Sequence, residues 1–223
     1  MQVYDVPVVF FDLDDSLINK DANSLWIRWR VRRERWAVVE AMLALASLYR
    51  AYKKGRVTHW RLSNYYRTRT RGMSLEEYRS RVARFFQERG QLHIYPQAAS
   101  LLFAYQRLGA ELVMITGSDD VVARAYGQAL GFTHIISNRL QTDGSRITGL
   151  EQPMCYGPGK VDLARQFLTA RGLSFDDAAF YTDSHSDVPL LEMVHQPVVL
   201  NPSAELREIA GIRGWPCLDW RAE

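Results

Sequence analysis

VPVVFFDLDDSL, residues Val6 to Leu17, decides how the rest of the chain is read. Val6 to Phe11 is a short β-branched and aromatic run with no polar alternation, the pattern of a strand buried on both faces of a parallel sheet. Pro7 is tolerable there because it falls at the strand's start. The run ends in Asp12, Asp14 and Asp15, three acids in four positions. In open α/β sheets, ligands sit beyond the carboxyl ends of the strands, so a carboxylate-rich turn at that place marks a candidate site. Clustered carboxylates repel unless a cation neutralises them, and this turn therefore suggests a metal.

Further strands are expected at Glu111 to Ile115, Phe132 to Ile136, Ala178 to Tyr181 and Pro197 to Leu200. Helices are expected at Ala98 to Leu108, Asp119 to Leu130 and Lys160 to Ala170, with Gly109, Gly131 and Gly172 after them. Alternating strand and helix imply an α/β fold with a doubly wound parallel sheet, helices lying on both faces. Asn138 to Gly149 (NRLQTDGSRITG) carries an Asp-Gly turn between alternating arms and reads as a hairpin.

From about Asn19 to Tyr95 the alternation stops. Arginines, aromatics and helix formers recur at spacings of three and four with no convincing strand, so residues 19–95 read as an all-helical insert in a core of 1–18 and 96–223. Charge divides the same way: Lys20 to Tyr95 holds 18 Lys/Arg against 6 Asp/Glu, whereas the remainder has 10 against 19. A basic unit favours an anionic partner. WIRWRVRRERW, with Trp26, Trp29 and Trp36 among five arginines, leaves three readings open: a nucleic-acid or anionic-membrane surface, a solvated face opposite an apolar stripe, or arginines facing the mouth of a site and steering anionic ligands into it. No nucleic-acid partner is expected.

At 223 residues, 47% hydrophobic and 24% charged, the chain is an ordinary globular protein with room for a sizeable core. Trp36 to Tyr49, the longest apolar run, contains Glu40 and is shorter than the roughly 20 residues of a spanning helix, so it reads as buried helix and no transmembrane segment is expected. The N-terminus has no export pattern. Two cysteines, Cys155 and Cys217, are too few for a disulfide framework or a zinc site. A cytoplasmic location fits this usage, and a homodimer is left open.

Taken singly, each polar residue after a strand has a structural reading. Asp12 and Asp14 could begin a turn, Thr116 could be a loop hydroxyl, Lys160 a solvated helix residue, and Asp183 with Asp187 a cap and first-turn acid. Together they supply a hard-cation site, a hydroxyl and an ammonium, the components phosphoryl transfer needs.

FDLDDSL, ITGS, Lys160 and TDSHSD, in this order and on these elements, resemble the four motifs of the haloacid dehalogenase superfamily. The hairpin, GPGK, NPSAEL and GWPCL resemble its phosphoserine-phosphatase-like branch, which carries a helical cap where the insert lies. Asp15 stands where Gly or Ser is frequent, Ser16 replaces Thr, and Ser186 replaces the Asn usual in phosphoserine phosphatases.

The resemblance implies a phosphomonoesterase acting on a small phosphorylated metabolite. Asp12 would be the nucleophile, transiently phosphorylated, and Asp14 the general acid and base. Thr116 and Lys160 would bind the non-bridging oxygens. Asp12, Asp183 and the Asp14 carbonyl would hold Mg2+, chosen over zinc by the all-oxygen ligands, and Asp187 would orient a metal water or Lys160. Gly117, Ser118 and Asp21 are candidate substrate contacts. Asp21 matches an acid that reads the substrate amine in related phosphoserine phosphatases, but serves equally as a helix-starting acid. Phosphoserine and histidinol phosphate lead as substrates. A phosphotransferase with the same intermediate and an anion-binding module are the rival classes.

Overall fold

A computed structural model describes residues 3–33, 58–70 and 73–222. The apolar run at Trp36 to Tyr49 and its proposed burial lie outside the described residues, as does Trp36 of the arginine-rich stretch.

The sheet is parallel, with β1 (Val8–Phe11), β2 (Glu111–Asp119), β3 (His134–Asn138), β6 (Ala178–Thr182), β7 (Gln196–Leu200) and β8 (Cys217–Leu218) in the order β3-β2-β1-β6-β7-β8. β1 lies inside the sheet, with Phe11 opposite Met114 on one side and Tyr181 on the other. Its four residues are fully buried, which accounts for the continuous apolar run. α4 (Pro96–Arg107), α5 (Asp120–Leu130), α6 (Pro158–Thr169), the single turn α7 (Val188–Leu191) and α8 (Ala204–Arg213) connect the strands. Two apolar clusters, one containing Val9 and Phe11 and the other Val8 and Phe10, form on opposite faces of the sheet. This is the expected doubly wound α/β core.

Several boundaries move. β1 begins at Val8, because Val6 turns back to bond the Tyr4 carbonyl. β3 begins at His134, after Phe132 has closed the preceding helix by bonding the Gly127 carbonyl. Asp119 is the N-cap of α5, its carboxylate accepting from the amides of Val121 and Val122. α6 starts at Pro158, two residues before Lys160. β2 runs to Asp119 because its register slips: between the pairs Ile115–Ile136 and Asp119–Asn138, three residues of β2 stand against one of β3. The strand bulges there, at Thr116, Gly117 and Ser118.

Between residues 19 and 95 the described chain forms α1 (Ala22–Val31), α2 (His59–Thr70), α3 (Leu75–Glu88) and a 3-10 turn, Gly90–His93. The chain leaves and re-enters the core side by side: Ile18 bridges Ile94, and Tyr95 donates to the Leu17 carbonyl. Trp26 and Trp29 are buried, Trp26 edge-on to Tyr78 and Phe85, so these tryptophans build the interior of the helical unit. Arg28, Arg32 and Arg33 are not buried, and Arg33 pairs with Glu88.

β4 (Leu140–Asp143) and β5 (Arg146–Leu150) form the expected hairpin, but it leans on the helical unit. Ser63 Oγ accepts from the Leu150 amide at 2.9 Å, and Ile147 donates to the Met73 carbonyl at 3.1 Å. A Cβ at Gly149 would stand 2.1 Å from Ser63 Oγ, so glycine permits this approach.

Candidate active site

The site is built at the carboxyl ends of β1, β2 and β6. The Asp12 amide extends the ladder of β1 by donating to the Tyr181 carbonyl at 2.9 Å, which fixes where its side chain leaves the sheet. The chain then coils: the amides of Ser16, Leu17 and Ile18 all point at the Leu13 carbonyl. Asp15 takes a left-handed φ of 53°, a conformation Asp tolerates better than most residues. Asn201, also left-handed, clamps the coil from β7 by donating to the carbonyls of Asp15 and Ser16 at 3.0 and 3.3 Å.

Lys160 lies in the first turn of α6, almost fully buried, and its Nζ donates to Asp12 Oδ1 at 2.8 Å and Asp187 Oδ2 at 2.7 Å. Gly159 lets this turn pack closely, since a Cβ there would meet the Met154 carbonyl at 2.1 Å. Thr182 Oγ1 also donates to Asp187 Oδ2, at 2.8 Å, while Asp187 Oδ1 is buried without a hydrogen-bond partner among the described residues. The Asp187 side chain does not cap the following helix. Burial lowers the Lys160 pKa, but Asp12 and Asp187 outweigh it and the net shift is upward, so the group is an ammonium.

Asp183 and Ser16 are joined reciprocally: Ser16 Oγ donates to Asp183 Oδ1 at 3.0 Å and accepts from the Asp183 amide at 2.9 Å. Asp14 Oδ1 accepts from the Ala22 amide at 2.7 Å, and Oδ2 accepts from Ser118 Oγ at 2.9 Å and Thr116 Oγ1 at 3.5 Å. Gly117 adds a backbone contact, its carbonyl accepting from Asn138 Nδ2 at 2.6 Å.

These acids share a buried region with one ammonium, and their ionisation follows. Burial, offset by Lys160, pushes Asp12 up to about 6. Burial, then the charges of Asp12 and Asp15, pushes Asp183 up to about 8. Asp14 is raised well above the usual carboxylate range by burial, then by Asp21 and Asp12. The result is a carboxyl, Asp14, whose proton affinity is raised by burial, beside a carboxyl, Asp12, held by an ammonium, an arrangement suited to an acid working next to a nucleophile.

Asp12, Asp14, Thr116, Gly117, Ser118, Lys160, Asp183 and Asp187 are therefore placed together. Asp21 caps α1, accepting from the Ser24 amide, while its charge still raises Asp14. Sequence reasoning missed Asn138, whose Oδ1 accepts from the Cys155 amide at 2.9 Å while its Nδ2 braces the bulge. It also missed Thr182, Asn201, Asn23 and Arg69. Asn201 lies within NPSAEL, so a motif had pointed to the segment without singling out the residue.

The fold and this constellation define a hydrolase of the Rossmann-like kind with a helical insert. The family model described as haloacid dehalogenase-like hydrolase matches residues 9–192, and the chain belongs to that family; within it, the chain is a phosphatase. It is 29% identical over 219 residues to a histidinol-phosphatase of Neisseria meningitidis, covering 96% of this chain and 99% of that protein. A Mycobacterium tuberculosis phosphoserine phosphatase is 32% identical over 114 residues, which is 51% of this chain and 37% of that protein. Among solved structures, a Bordetella pertussis protein with unknown function superposes with a TM-score of 0.86 at 28% identity, covering 96% of this chain and 98% of that one. A substrate-bound phosphoserine phosphatase matches with a TM-score of 0.66 at 16% identity over 97% of this chain and 96% of that one, a likeness of fold. No helix among the described residues is long and apolar enough to cross a membrane.

Proposed function

We propose that the chain is a magnesium-dependent phosphomonoesterase that hydrolyses a small, amine-bearing phosphorylated metabolite through an aspartyl phosphate on Asp12, with residues 19–95 as the cap. The observation that carries the reading is the pairing of Asp12 with buried Lys160 beside Asp14, whose two carboxyl oxygens are held by the Ala22 amide and the Ser118 hydroxyl. An Asp12 oxygen bonds to phosphorus as the ester oxygen leaves, and Asp14 gives that oxygen its proton. Asp14 then takes a proton from the water that attacks phosphorus, and the Asp12–phosphorus bond breaks to release phosphate. Thr116 and Lys160 hold the non-bridging oxygens, with Gly117 and Ser118 alongside.

The residues fit a hard dication. Asp12 and Asp183 press on one another electrostatically, and Lys160 donates to Asp12 and Asp187 rather than to Asp183. Asp12 and Asp183, with the Asp14 carbonyl, would supply an all-oxygen ligand set. Asp187 Oδ1, without a hydrogen-bond partner among the described residues, would accept from a metal-held water. Held by Asp12, Asp183 and the Asp14 carbonyl, Mg2+ would neutralise the carboxylates and draw charge from the phosphoryl oxygens. Asp183→Ala should raise the Mg2+ concentration needed for half-maximal rate and lower the rate, and Asp187→Ala should do so more mildly. Full activity of EDTA-treated wild type without added divalent ion would reject the metal.

Histidinol phosphate is the first substrate to test, because the named histidinol-phosphatase is similar over its whole length. Phosphoserine is the second. Asp21 supplies the carboxylate for the amine. Asp21→Asn retains the helix cap, since Asn caps as well as Asp, and so isolates the charge. It should cut kcat/KM for the amine-bearing ester by about 1–3 kcal/mol while sparing p-nitrophenyl phosphate. Equal losses on both esters would point to damaged chemistry or folding, and no loss on either would leave Asp21 as a helix-starting acid.

A further inference from the structure

Arg69 of α2 is buried in the helical unit, and its partners lead back to the reacting end of the sheet. One guanidinium nitrogen donates to the Tyr78 hydroxyl and lies 3.4 Å from Asp119 Oδ2, which accepts from Tyr78 at 2.8 Å. The other, NH1, donates to Asn23 Oδ1 at 2.5 Å. Asn23 Nδ2 donates to Ser118 Oγ at 3.4 Å, and Ser118 Oγ donates to Asp14 Oδ2 at 2.9 Å.

The direction of this chain is forced. A guanidinium has donors only, so the Asn23 atom facing it must be its oxygen, and the amide nitrogen must face Ser118. With that N–H aimed at its oxygen, Ser118 turns its own hydrogen to Asp14. Every link points from the cation to the carboxyl. Asp119 fixes the start: its Oδ1 caps α5 and its Oδ2 holds Arg69 and Tyr78, so the origin is tied to the core through a fully buried acid.

We infer that Asn23 is a positioning residue for the proposed general acid: oriented by Arg69, it turns the Ser118 hydroxyl so that Asp14 is held in the one orientation that reaches the leaving oxygen. The α1 helix secures the other carboxyl oxygen through the Ala22 amide, so the acid is set only when the helical unit is docked on the core. The inference rests on the phosphatase reading and on Asp14 as its acid.

Asn23→Asp tests it. Asp keeps an oxygen for Arg69 and the same shape, but has no donor for Ser118. Because kcat/KM reports steps up to formation of the phosphoenzyme, the comparison is between an alkyl phosphomonoester, whose leaving oxygen needs a proton, and p-nitrophenyl phosphate, whose phenolate does not. The ratio of kcat/KM for the aryl over the alkyl ester should rise about tenfold in Asn23→Asp, the scale of one lost hydrogen bond in the transition state, and equally in Asn23→Ala. Thermal midpoints confirm that both variants fold. A wild-type ratio in a folded Asn23→Asp protein would overturn the positioning role alone. Failure of the wild-type chain to hydrolyse either ester would overturn the phosphatase reading and this inference with it.

Discussion

Asp12→Asn should lower kcat by at least about 1000-fold, the scale on which loss of a nucleophile is felt, while its thermal midpoint stays within a few degrees of wild type. The amide is nearly isosteric but carries no anion to attack phosphorus. Stability should hold because burial already disfavours the Asp12 charge, raising its pKa to about 6 against the pull of Lys160. Lys160 keeps its second partner, Asp187 Oδ2, at 2.7 Å. Steady-state hydrolysis of p-nitrophenyl phosphate and a melting curve measure the two halves. Residual activity near wild type would remove Asp12 from the reaction.

Lys160→Met should be the most damaging single change to the fold at the site. It leaves Asp12 and Asp187 buried with no cation between them, and removing one partner of a buried ion pair costs about 3–5 kcal/mol. Activity should fall as well, because the non-bridging oxygens lose their ammonium. The two effects are separable. In Lys160→Met/Asp187→Asn one charge is gone, and an Asn oxygen can still accept from Thr182, so the urea midpoint should recover most of the loss while activity does not. A Lys160→Met protein as stable as wild type would mean that the acids relax into water without it.

Much of the core was legible because its signals are local. Val8 to Phe11 is buried on both faces and reads as one apolar run. The acids after it are legible because a turn crowded with carboxylates is unusual without a counter-charge. Lys160 and Asp187 are 27 residues apart, and the resemblance to known motifs, rather than their spacing, linked them. What stayed hidden is long-range. Asn138, Thr182 and Asn201 are short polar residues at strand ends, types that most often finish strands, and only the sheet order shows what they brace. Arg69 is one of 18 basic residues in a stretch whose composition suggests a solvated face, yet it is buried against Asp119, 50 residues away. Boundaries shifted where the backbone departs from regular geometry, above all at the β2 bulge.

The lean of the β4–β5 hairpin on α2 bears on how such a protein can be recombined. A chimera that exchanged residues 19–95 alone would seat a foreign helix where Gly149 passes closest to Ser63 and where the Leu150 and Ile147 amides find their acceptors. The heritable module is therefore discontinuous, the insert together with residues 140–150. Lineages that alter one are expected to alter the other, so substrate range would evolve by paired change in two segments widely separated along the gene.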